Sequence, residues 1–277
     1  MKTKSRFTKV ILAPALGVIV LAQSVSAASS PGKFAGVPVV RGGITRASVP
    51  LTPLERQYAG EGGNVVPPQA VAVLAVPQNF DPAKVWPVLV PLATDDFRRK
   101  NRDDLKDFYR PDAIAEGWIV LAGDGVKFPH HGTSGWRAGM TLAALDALHR
   151  SFPGSKDWPV AVAGFSGGAK QTGLLAPLFS VAGCKIIGLF LSGINVDKLS
   201  LGYRSYPPGI TFLHTPVFIS SGLRDTIATP MEQREVKLSI EKTGFDRVRL
   251  ENFQEGHAVK RTHVRAALRW FRQLAGL

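Results

Sequence analysis

Short apolar runs alternate with amphipathic stretches along most of this chain. The runs Val71–Val76, Val85–Leu92, Trp118–Ala122, Pro159–Ala163, Ile186–Leu191 and Pro216–Ser220 are apolar almost throughout, and Val248–Phe253 alternates apolar with polar residues over most of its length. That pattern predicts strands covered on both faces. Between them lie stretches of helical period. Trp136–Phe152 carries Met140, Ala144, Ala147 and Leu148 on one face, and about Val259–Leu274 carries Val264, Ala267, Leu268 and Phe271. Ala169–Phe179 and Glu232–Lys242 are predicted helices as well. Asp95–Ala115 is highly charged, with Leu105, Phe108 and Tyr109 three and four apart, and reads as a surface helix. Such alternation predicts an α/β fold: a mostly parallel sheet with helices on both faces. The longest late connection, Asn195–Thr215, is too short to form a large cap domain.

The N-terminal part breaks this pattern. Lys2, Lys4, Arg6 and Lys9 precede an apolar run from Val10 to Ala22, and Val25-Ser26-Ala27-Ala28 supplies small residues for a peptidase. This predicts a signal peptide over residues 1–27, shorter in its apolar part than a membrane span. A secreted or periplasmic protein without a membrane span after cleavage is expected. Residues 28–68 are rich in Gly, Pro and Ser; Pro31, Pro38, Pro50, Pro53, Pro67 and Pro68 allow one or two edge strands but no long helix. The catalytic domain is then predicted over 69–277. One cysteine, Cys184, excludes an internal disulfide and a Cys-rich zinc site, and it is expected to be a buried thiol. Lys and Arg number 34 against 21 Asp and Glu. This suits anionic surroundings but says nothing about fold.

The strongest motif is Gly164-Phe165-Ser166-Gly167-Gly168. An apolar strand, Trp158–Ala163, runs into it, and a helix, Ala169–Leu175, runs out. Strand, sharp turn and helix make the setting of a nucleophile elbow, with Ser166 at a helix N-terminus. A serine nucleophile needs a base, and the base needs an orienting acid, here in the chain order Ser, acid, His. His257, in Gln254-Glu255-Gly256-His257 just past the last strand, is the favoured base. His214 falls at the wrong end of a strand, and His263 lies beside Arg261 and Arg265 in the final helix, where a surface position is expected. Asp225, in the loop after Val217–Ser221, is the favoured acid, with Asp197 as the alternative. An oxyanion hole takes one backbone N–H from the residue after the nucleophile, Gly167. The other comes from the loop after Val88-Leu89-Val90, from Ala93 or Thr94.

These residues and the order of strands resemble the α/β-hydrolase superfamily, and within it secreted esterases of the polyhydroxybutyrate-depolymerase-like and feruloyl-esterase-like kind. The resemblance spans about residues 70–277. It implies a Ser166–His257–Asp225 triad that hydrolyses a small or polymeric ester through an acyl-enzyme, with no metal and no cofactor. Where many relatives carry a His-Gly pair after the oxyanion strand, this chain reads Leu92-Ala93-Thr94. A serine peptidase and a non-catalytic binding protein of the cell envelope are the alternatives.

Other features change this picture little. His130 and His131 fall at the same sheet edge and are candidate substrate-lining residues; adjacent side chains point apart in extended backbone, which disfavours a metal pair. Arg98, Arg99, Lys100, Arg102 and Lys106 interleave with Asp95, Asp96, Asp103, Asp104 and Asp107, as on a solvated helix face. No nucleic-acid partner is expected, and the chain is expected to be a monomer. The final helix is basic through Lys260, Arg261, Arg265, Arg269 and Arg272, which suits an anionic polymer or simple solubility.

Overall fold

The computed structural model describes residues 31–94, 98–127, 129–130 and 134–277. The predicted signal peptide and His131 lie outside the described residues. A small hairpin, β1 (Lys33–Phe34) and β2 (Val37–Pro38), precedes the main sheet. The sheet is built from β3 (Ile44–Pro50), β4 (Gln69–Ala75), β5 (Val88–Leu92), β6 (Ile119–Gly125), β7 (Val160–Phe165), β8 (Ile186–Ser192), β9 (Val217–Gly222) and β10 (Val248–Phe253). Their order is β10-β9-β8-β7-β5-β6-β4-β3. All pairs are parallel except β3–β4 and β4–β6. The helices are α1 (Pro53–Gly60), α2 (Asn101–Asp104), α3 (Arg110–Ala115), α4 (Ser134–Ser151), α5 (Gly167–Val181), α6 (Leu199–Ser205), α7 (Pro230–Thr243) and α8 (Arg261–Leu274).

Side-chain alternation along the strands divides the core in two. Ala72, Leu74, Ile119 and Leu121 face the layer of α1, α4 and α5. Val71, Val73, Val120 and Ala122 face α3 and α8, where Val264, Ala267, Leu268 and Phe271 form the buried stripe that the sequence predicts. Part of the Pro-rich N-terminal segment belongs to this architecture. β3 pairs along its length with β4, and its buried positions alternate through Ala47 and Val49. A short helix, α1, starts at one of these prolines: Pro53 sits in the first turn, and Thr52 and Glu55 close a capping box.

Residues 95–97 of the predicted surface helix lie outside the described residues; from Asn101 onward the segment is α2, a π-turn at Leu105–Tyr109 and α3. The wider turn changes which face is covered. Lys100, Asn101, Asp104 and Asp112 are buried, so the interleaved charges are not one solvated face. The basic edge of α8 is likewise engaged: Arg261 and Arg265 reach buried Asp112 at 2.8 and 2.5 Å, and Arg269 reaches Glu116 at 2.7 Å. The segment after β8 forms α6, which packs on α5 and α7. Cys184 is buried, which pushes its thiol up to about 12 and leaves it inert. Among the described residues no helix is long and apolar enough to cross a membrane, and no group of acidic, His or Cys side chains is arranged to hold a metal.

Candidate active site

The chain passes from β5 to β6 on one side and then to β7 on the other, so the strand order reverses between β5 and β7. Crevices at the carboxyl ends of strands flanking such a reversal are where open α/β sheets bind ligands. Ser166 follows β7 there, and Thr94 follows β5.

Ser166 has φ 56° and ψ −120°, a conformation that an L-residue adopts only under strain. Its N–H is tied to Ser192 O at 2.8 Å. The turn is possible because Gly164 and Gly168, two residues to either side, have no side chain. A Cβ on Gly164 would lie 2.0 Å from Gly168 O, and one on Gly168 would lie 2.2 Å from Leu92 O. Gly167 opens α5, so its N–H has no acceptor within the helix.

Asp225 is held by the chain that follows it. Its Oδ1 accepts the N–H groups of Ile227 and Ala228, both at 2.9 Å. Thr229 then caps α7 in a capping box with Glu232, and Pro230 takes the first helical turn. The other oxygen, Oδ2, lies 2.7 Å from His257 Nδ1. Because a carboxylate can only accept, the imidazole proton is on Nδ1 and Nε2 is left as the basic nitrogen. Backbone bonds from Leu223 to Phe253 O and from Arg224 to Glu255 O tie the acid's loop to the base's loop. The Asp225 side chain is 1% exposed and the His257 ring 16%.

Ser166 and His257 line one pocket of about 340 Å³, together with Thr94, Arg99, Asp104, Phe108, Phe165 and Ile227. The Phe165 and His257 rings lie 4.6 Å apart. Among the described contacts there is no Ser166–His257 hydrogen bond; such bonds often tighten only when substrate binds.

No family model matches the chain, and no curated protein does. Solved structures do. A bacterial heroin esterase superposes with a TM-score of 0.57 at 16% identity, over 83% of this chain and 84% of that one. An esterase from Pyrococcus furiosus gives 0.50 at 19% identity, over 86% and 96%. A post-proline cleaving enzyme from Rickettsia typhi gives 0.54 at 11% identity, over 85% of this chain but 38% of that longer one. The chain has the α/β-hydrolase fold.

Within the α/β-hydrolase fold, several sequence expectations need correction. Ala93 is not the free oxyanion donor: its N–H is taken by Asn101 Oδ1 at 2.8 Å. Thr94, the other candidate, lines the pocket with Ser166 and His257. His130 lies away from Ser166, in a separate apolar pocket of about 550 Å³ with Val65, Pro67 and Trp136. His263 is not a surface residue. It sits at the edge of the buried stripe of α8, 11% exposed, with Nδ1 3.0 Å from Ser220 Oγ. His214 is exposed and pairs with Asp246. Asp197 accepts from Ser200 N and Ser239 Oγ, away from His257.

Sequence reasoning missed the polar wall behind the pocket. Asp104 pairs with Arg99, whose guanidinium also stacks on Phe108 at 4.6 Å. Burial outweighs this pairing and pushes the Asp104 carboxyl up from 3.8 to about 6. The folded chain therefore holds this proton more tightly than the unfolded one. The group favours the fold most below pH 3.8, loses that advantage between 3.8 and about 6, and weighs against the fold above it. Asp104→Asn is expected to raise the melting temperature at pH 7.5 and to change it little at pH 4, because Arg99 keeps Asp107. Thermal unfolding at the two pH values checks this, and a larger gain at pH 4 would refute it.

Proposed function

We propose that this chain is a secreted or periplasmic serine hydrolase that cleaves carboxylic esters through an acyl-enzyme. The observation that carries the reading is the convergence of a strained Ser166 and a His257 oriented by buried Asp225 on one pocket. In this mechanism His257 Nε2 takes the Ser166 proton as Oγ attacks the ester carbonyl carbon. The N–H groups of Gly167 and Thr94 hold the oxyanion. The intermediate collapses, the C–O bond to the alcohol breaks, and His257 returns the proton to the departing oxygen. Water, deprotonated by His257, then attacks the acyl-enzyme, and Ser166 is released with its proton restored. Asp225 keeps the imidazole in the required tautomer and stabilises its cation. The chain is read as a monomer that reaches its compartment by the signal peptide over residues 1–27.

Peptide amides are the second reading, since the post-proline cleaving enzyme shares the fold. The esterase alignments, which span most of both chains, favour esters. Labelling with a fluorophosphonate probe, beside turnover of p-nitrophenyl esters and peptide p-nitroanilides, tests the proposal. Labelling with ester turnover is the expected result. Preferential anilide turnover would replace the ester reading, and a folded chain that takes no label would make it a binding protein.

A further inference from the structure

In the serine-hydrolase reading, the second oxyanion donor comes from the loop between β5 and α2. A buried polar cluster grips it on both sides. Asn101 Oδ1 accepts the Ala93 N–H at 2.8 Å and Arg137 Nη1 at 2.7 Å. Arg137 Nη2 donates to Thr94 O and, at 3.0 Å, to Arg99 O. Asn101 is fixed in turn: its Nδ2 donates to Gly123 O at 2.9 Å, and its N–H to Asp124 Oδ1 at 2.8 Å. Asp124 Oδ2 accepts the N–H of Arg102 at 3.0 Å. Asn101, Asp124 and Arg137 are all at most 5% exposed.

The peptide before Ala93 is therefore held by its N–H, and the peptide after Thr94 by its carbonyl oxygen. Between them lies the Ala93–Thr94 peptide, which carries the Thr94 N–H. With both neighbours fixed, its direction is set before substrate arrives. A donor fixed in advance needs no reorganisation as charge develops, which is what makes an oxyanion hole effective. The same Arg137 fork holds the backbone of Arg99, so the loop and the wall of the pocket are positioned together.

We infer that Arg137 and Asn101 are positioning residues that preset the oxyanion hole of Ser166, acting through the backbone of Ala93 and Thr94. This rests on the serine-hydrolase reading. Arg137 also balances buried Asp104 and Asp124, so removing its charge endangers folding. Arg137→Lys keeps the charge but cannot reproduce a planar fork on three acceptors.

The test compares native enzyme, Arg137→Lys and Asn101→Leu, which removes the acceptor for Ala93 N–H and Arg137. The readouts are melting temperature, kcat and KM on a p-nitrophenyl ester, and Ki for a trifluoromethyl ketone whose hemiketal oxygen enters the oxyanion hole. Arg137→Lys is expected to lower kcat roughly 10- to 100-fold with KM little changed, and to raise Ki by about the same factor. Asn101→Leu should behave likewise. A folded Arg137→Lys or Asn101→Leu with native kcat and Ki would overturn the positioning role and leave the hydrolase reading standing. A native chain that neither labels nor turns over would overturn both.

Discussion

Ser166→Ala is expected to abolish ester turnover, and Ser166→Gly to do the same while making the protein more stable. The first effect should be on the order of 10⁵-fold or more in kcat, because the nucleophile of a triad cannot be replaced by its partners. The second follows from the backbone. Ser166 is held at φ 56°, ψ −120°, which costs about 1–3 kcal/mol for a residue with a Cβ. Glycine takes that conformation freely, at an entropic cost of about 0.5–1 kcal/mol in the unfolded chain. The net gain is about 1 kcal/mol, or roughly 2–4 °C in melting temperature for a domain of this size. Alanine keeps the Cβ and should leave the melting temperature near native. Turnover and thermal unfolding of the three proteins decide the matter. Native turnover in Ser166→Ala would mean another nucleophile. A lower melting temperature in Ser166→Gly would mean that the turn carries no strain for glycine to relieve.

The elbow was legible because its signals are local. Glycines at fixed offsets, an apolar strand before and a helix after are all contained in Trp158–Leu175. Asp225 and His257 were legible for a related reason: each follows a clear strand, and the parallel order puts both at the same sheet edge. The polar wall was not legible. Arg137 meets Asn101 across 36 residues, and Asp124 meets Asn101 across 23. Nothing in the local pattern distinguishes those buried charges from the exposed ones beside them. The π-turn at Leu105–Tyr109 adds to this by moving residues off the face that a regular helix would give them. β3 was legible only as an edge strand without bounds, because small and polar residues, Thr45 and Ala47, fill buried positions that usually announce a strand with larger side chains.

The geometry around Asp225 makes Asp225→Asn the more informative replacement at the triad. An asparagine there keeps the shape. Its carbonyl oxygen can accept the two N–H bonds from Ile227 and Ala228 that Asp225 Oδ1 now accepts. Those bonds decide which way the amide faces, so its NH₂ group must point at His257 Nδ1, where Oδ2 now lies at 2.7 Å. Two donors cannot share that contact. The imidazole must release its Nδ1 proton and carry it on Nε2, where it can no longer take the proton of Ser166. The expected result is a fall in kcat of about 10⁴-fold at neutral pH, with KM nearly unchanged and the fold intact. Asp225→Ala should behave differently: it removes the wrong-tautomer lock, and the pocket it opens can admit water beside Nδ1. It should therefore retain more activity than Asp225→Asn, although it loses two buried hydrogen bonds and melts lower. Kinetics and thermal unfolding of both variants separate the two effects. If Asp225→Asn kept native kcat, tautomer control by Asp225 would be excluded, and the base of Ser166 would have to be sought elsewhere at the same sheet edge.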